Sequence, residues 1–166
     1  FTNTLSMARV KISIGGSVVD ATVQSIKFTS TAKALTGAAT IDMTQDRPAA
    51  IITGNGTEIT LTTNNAVLST EATPFYVLIP ANTYEANTLT LTVNATVNGV
   101  EQVITKEYDA LNFKRSLIET FNIDITEDGN WSGSTDGEEI LTHTVVSTPE
   151  ELAALLTSSK DEISVK

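Results

Sequence analysis

The feature that most constrains this chain is a two-residue alternation of apolar and polar side chains, written largely in threonine, valine and isoleucine. Threonine alone fills 28 of the 166 positions. Side chains branched at Cβ are stiff in a helix and fit a pleated surface, so the composition favours strands. Residues 7–14, M-A-R-V-K-I-S-I, place Val10, Ile12 and Ile14 on one face and Arg9, Lys11 and Ser13 on the other. Gly15 and Gly16 then turn the chain.

The same grammar predicts further strands over 22–29, 40–43, 50–53 and 58–62, with Gly54-Asn55-Gly56 reading as a hairpin turn between the last two. Residues 75–79 form a continuous apolar run stopped by Pro80, the pattern of a central strand buried on both faces. Residues 88–97 alternate, with Leu89, Leu91, Val93, Ala95 and Val97 on one face. Asn98-Gly99, a strong hairpin signal, joins them to a strand over 101–108. A strand over 119–126 turns Phe121, Ile123 and Ile125 inward. About seven to nine short strands, with no helix expected before residue 149, predict an all-β Greek-key sandwich of transthyretin or immunoglobulin type over residues 1–126.

Residues 127–139 change character to E-D-G-N-W-S-G-S-T-D-G-E-E and read as an acidic, Gly/Ser-rich linker or binding loop. Residues 140–166 read as a strand, a short helix and a strand. Thr148 is the N-cap, Pro149 the first helical residue and Glu151 the capping-box acid of a helix over 149–157, with a strand over 163–165 following. So small a segment cannot build its own core, so it packs on the sandwich or begins a second domain.

With no cysteine, neither disulfides nor thiolate metal sites supplement packing. The net charge of −10 is uneven: residues 1–126 hold 8 basic and 11 acidic side chains, and residues 127–166 hold 2 and 9. Scattered cations give no stripe for a phosphate backbone, which argues against nucleic acid, and an anionic membrane surface is disfavoured likewise. A start at Phe1 suggests a processed or trimmed chain. A signal or lipid anchor would then lie outside it.

Several segments, in order, resemble the fimbrillins, surface and pilus-subunit proteins of certain gut and oral Gram-negative bacteria. They are the first strand with its glycine pair, the Ile26 and Phe28 segment, and F-Y-V-L-I-P at 75–80 followed by Tyr84 and L-T-L-T-V. The close F-N-I-D-I-T before Trp131 and Gly133 completes the set, which spans roughly residues 7–133. The resemblance implies a transthyretin-like sandwich, export as a lipoprotein to the outer membrane and cell surface, and a role in fimbriae or adhesion, with other fimbrial subunits or host protein or glycan as partners. It also implies proteolytic removal of a first strand and its replacement by a neighbour's. Arg9 lies inside the strand, whereas that cleavage falls in a loop, so processing is not assigned. Residues 145–166 are similar to the entry segment of parallel β-helix domains, which leaves open an accessory role in a larger polysaccharide-acting protein.

Reactive chemistry is sparse. Asp128, Asn130, Ser132, Gly133, Asp136 and Glu139 fit positions 1, 3, 5, 6, 9 and 12 of a calcium loop, whose hard cation takes six to eight oxygens. No helix precedes them, Thr135 replaces an apolar residue, and a solvated linker accounts for the same residues. His143 is the single histidine and sits in a strand, and no Gly-x-Ser-x-Gly elbow exists. The expectation is therefore no catalysis and no cofactor beyond calcium. Carboxylate pairs of the glycosidase kind are read as solvating charges. Trp131, the only tryptophan, reads either as a lid on the sandwich or as a stacking platform for sugar. Tyr76, Tyr84 and Tyr108 read as core or rim. Asn55, Asn94 and Asn130 begin Asn-x-Ser/Thr triplets of little meaning in a bacterial chain.

Overall fold

A computed structural model describes residues 4–46 and 48–126 throughout, and the backbone of 131–132, 135–140, 144–146 and 163–165. The strands, in chain order, are β1 (Ser6–Ile14), β2 (Ala21–Ser30), β3 (Ala39–Ile41), β4 (Ala50–Ile52), β5 (Glu58–Val67), β6 (Thr73–Ile79), β7 (Asn82–Tyr84), β8 (Leu89–Val97), β9 (Val100–Glu107), β10 (Leu111–Phe113), β11 (Leu117–Ile125), β12 (Trp131–Ser132), β13 (Thr135–Ile140), β14 (Thr144–Val146) and β15 (Ile163–Val165). No helix occurs among the described residues.

Two sheets form the sandwich expected from alternation. One runs β12-β11-β1-β6, with β13 also on β11, and the other runs β5-β2-β8-β9. Alternation is strict in β1 and β8, which both show a buried residue at every second position, and a bulge at Val23–Ser25 shifts its phase in β2. The inward set Val10, Ile12, Val23, Ile26, Phe28, Leu91, Val93, Phe121, Ile123 and Ile125 is at most 2% exposed and fills one continuous core. Four rings bind the two layers together. Phe121 meets Phe28 at 5.6 Å, Tyr108 at 5.0 Å and Phe113 at 6.1 Å, centroid to centroid.

The first and last long strands lie side by side. β1 pairs parallel with β11 from Met7↔Ile118 to Ile14↔Ile125, and antiparallel with β6 from Ser6↔Ile79 to Ile12↔Thr73. The Asn98-Gly99 hairpin forms as expected, with φ of +49° and +79°. A primed turn needs both central residues in that region, which Asn and Gly tolerate. Asn98 also accepts, through Oδ1, the N–H groups of Val19 at 3.1 Å and Asp20 at 3.3 Å, tying the β1–β2 connection to this end.

Two expectations are corrected. The run at 75–79 is an edge strand, not a central one. Among the described residues β6 pairs only with β1, and Tyr76 and Leu78 are 50% and 55% exposed. An unbroken apolar run reports side-chain chemistry alone and cannot say how many neighbours a strand has. Gly54-Asn55-Gly56 does not join a hairpin either, because β4 pairs with β3 and β5 pairs with β2. Its glycines instead let two backbones touch: a Cβ on Gly54 would stand 2.6 Å from Gly37 Cα, and Gly56 bridges Thr36. Thr135–Ile140 pairs antiparallel with β11. Beyond it, β14 pairs parallel with β15. The helix expected over 149–157 and His143 lie outside the described residues.

Candidate interaction surfaces

The calcium reading meets an extended backbone. Ser132 pairs with Asp124, and Glu139 pairs with Ile118. Asp128 and Asn130 lie outside the described residues. Trp131 stands in register with Ile125, at the closing end of β11. Among the described residues no group of three or more His, Cys, Asp or Glu could hold a metal.

Polar side chains along β1 are held by partners on and beside β11, whereas Gln102 Oε1 and Arg115 Nε and Nη2 are buried without a hydrogen-bond partner. Ser6 Oγ donates to Leu117 O at 3.0 Å, and Arg9 donates through Nε and Nη2 to Thr120 Oγ1 at 3.1 and 2.8 Å. Arg9 thus sits mid-strand, opposite Thr120 on one side and Tyr76 on the other. A protease that needs an extended, unpaired segment does not find one there. Burial pushes the Tyr84 phenol up to about 12 and raises that of Tyr108 further. Tyr84, fully buried, donates to Pro80 O at 3.5 Å and packs edge-on against Phe113. Both tyrosines are therefore core groups, while Tyr76 belongs to the surface. On the exposed loop after β3, the Thr44 hydroxyl and N–H hold the Asp42 carboxyl below its usual value.

Two features of the surface can make contacts. One is a cleft of about 470 Å³ beside β4, lined by Lys33, Ala34, Ile51, Ile52, Pro80 and Asn82. Lys33 Nζ donates to Asn82 Oδ1 at 2.8 Å, so the cleft offers small apolar walls and one ammonium. That suits binding and supplies no acid–base pair for chemistry.

The other is the outer edge of β6. Ile14 N donates to Ser69 O and Gly15 N to Ile125 O, both at 3.0 Å, so even residues of β1 face β6 and odd ones face β11. The register then makes Thr73, Phe75, Val77 and Ile79 the residues bonded to β1, and turns the backbone of Pro74, Tyr76 and Leu78 outward. Proline tolerates that orientation because it has no N–H to lose. The long strands at the edges of the other sheet are blunted. β5 carries Asn64 and Asn65 at φ +51° and +57° beside the bulge in β2, and β9 carries Glu101, Lys106 and Glu107. β6 contains no charged residue. Sequence reading missed this edge, although the proline inside the strand is an edge signal.

No family model and no curated protein sequence matches the chain. Solved structures do. The chain is similar to a protein assigned to cell adhesion in Bacteroides uniformis, at 19% identity and a TM-score of 0.59, over 86% of this chain and 52% of that one. A counterpart from Bacteroides ovatus is similar at 10% identity and a TM-score of 0.56, over 84% and 46%. One from Bacteroides fragilis is similar at 15% identity and a TM-score of 0.52, over 87% and 48%. The chain spans about half the length of these proteins. It shares their all-β fold, the fold that the resemblance to fimbrillins implied.

Proposed function

We propose that this chain is a domain of a bacterial cell-surface protein of the fimbrial or adhesive kind, which works by contact and not by catalysis. The observation that carries the reading is the fold shared with Bacteroides proteins assigned to cell adhesion. Two physical features support it. The core is apolar, and no group of three or more His, Cys, Asp or Glu that could hold a metal occurs among the described residues. The surface, by contrast, carries an uncharged open sheet edge, the kind of feature through which extended protein segments associate.

In this reading the full protein is exported and lipid-anchored, and the domain presents its edges and its cleft to other surface subunits or to host components. The test is made on intact cells expressing the complete open reading frame. Antibody raised against residues 4–126 labels unpermeabilised cells, and external protease removes the label. Labelling that needs permeabilisation overturns the proposal.

A further inference from the structure

The outer edge of β6 has a property beyond being open: it is self-complementary. Residues 74–80 read Pro-Phe-Tyr-Val-Leu-Ile-Pro, a chemical palindrome about Val77. Proline stands at each end, then Phe75 against Ile79, then Tyr76 against Leu78. We propose that two copies of this chain associate through β6, antiparallel about a two-fold axis at Val77, so that two of the sheets merge into one.

The register follows from the backbone. Only Tyr76 and Leu78 present both N–H and C=O outward within β6, because Pro74 lacks the donor and the strand ends before Pro80. An axis at Val77 sets Tyr76 of each copy opposite Leu78 of the other. Each such pair exchanges two bonds, which uses all four N–H groups and all four C=O groups. An axis at Tyr76 makes as many bonds but sets each phenol against its own image and Leu78 against Pro74, in place of two ring–aliphatic pairs. The favoured axis also puts Pro74 opposite Pro80, so that neither leaves an N–H without an acceptor.

Side chains agree with the backbone. Tyr76 and Leu78 are 50% and 55% exposed on the outer face, and the pairing lays a ring against an aliphatic chain twice. With no charge on the strand, nothing on it opposes its own image. The net charge of −10 on each chain acts the other way at long range, so salt should strengthen the association. A second copy brings the two matched Tyr76–Leu78 pairs with it, which an arbitrary extended peptide does not. The inference is independent of the surface role: a strictly monomeric chain would overturn it and leave that role standing.

Sedimentation velocity on the full chain, from about 10 µM to about 1 mM, covers the range where a small interface shows itself. Reversible dimer is expected, increasing between 50 and 300 mM salt. Tyr76→Pro removes an outward N–H and no bond to β1, so two of the four new bonds go and association weakens on the order of 30-fold. Leu78→Lys, a second variant that places a charge on the edge, also abolishes it, and circular dichroism verifies that each variant is folded.

The chain has no cysteine, which makes cross-linking clean. In an equimolar mixture of Tyr76→Cys and Leu78→Cys chains, opposed Cα atoms are about 5.5 Å apart, within disulfide reach, while like positions are offset by two residues. The mixed disulfide should therefore dominate over both homodimers. A monomer at every concentration, or disulfides in statistical proportion, overturns the proposal. So does pairing of β6 with added peptides while the chain itself stays monomeric.

Discussion

Replacing Phe121 by leucine tests whether the ring cluster couples the two layers. Phe121 is fully buried on β11 and touches Phe28 of β2, Tyr108 beyond β9, and Phe113 of β10. Leucine keeps most of the volume but loses three ring contacts. At roughly 0.5–1.5 kcal/mol each beyond area burial, the loss is about 3 kcal/mol. Phe121→Ala, which also opens a cavity, should reach the upper end of the roughly 3–5 kcal/mol range for such truncations. The control is Ile123→Val on the same strand, 2% exposed, where no ring contact is recorded and about 1 kcal/mol is expected. For a chain of this size 1 kcal/mol moves Tm by roughly 3 °C, so Phe121→Leu lowers it by about 9 °C. Urea titration followed by circular dichroism, at a few micromolar protein, gives each value. Equal losses for Phe121→Leu and Ile123→Val would show that the rings pack as ordinary apolar volume, and the coupling argument would fail.

Other outcomes follow from the same structure. Gly54→Ala drives a Cβ into the Gly37 backbone at 2.6 Å and should destabilise by about 1–3 kcal/mol, against a few tenths for Ala at Gly16 if space alone decided. Because Gly16 has φ +64°, however, its alanine variant should lose about 1 kcal/mol, and comparing the two melts separates steric from backbone strain. Tyr84 and Tyr108 are held protonated by burial, so below pH 10 they leave stability unchanged. As pH rises from about 10 toward 12 the unfolded chain releases these protons first, and stability falls. Denaturation midpoints at pH 9, 10 and 11 measure that fall, and a flat profile would contradict it. Read as a solvated linker, residues 127–139 should leave Tm in 5 mM calcium within about 1 °C of its value in chelator; a rise of several degrees would support the calcium loop instead.

The two interaction surfaces were legible to different degrees. Lys33 and Asn82 lie 49 residues apart, and nothing local predicts that their side chains meet at the cleft. The β6 edge left a trace in Pro74, but its apolar run outweighed that trace and suggested a central strand. Tyr76 and Leu78 look in sequence like their buried neighbours Val77 and Ile79. The period-two pleat turns Tyr76 and Leu78 to the outer face and Val77 and Ile79 to the core, and among the described residues no strand lies beyond β6.

By itself the sequence determined the elements whose information is local. Alternation marked β1, β2, β8 and β11, Asn98-Gly99 marked the hairpin between β8 and β9, and the inward sets Val10, Ile12, Phe121, Ile123 and Ile125 were readable at once, because side-chain direction in a strand has period two. Tertiary structure alone decided which strands became neighbours. β1 meets β11 across more than a hundred residues, the Gly54 turn serves β3–β4 contact instead of a hairpin, and β6 stands at a border. Such pairings depend on how two apolar faces close over one core, and that closure is a property of the whole chain.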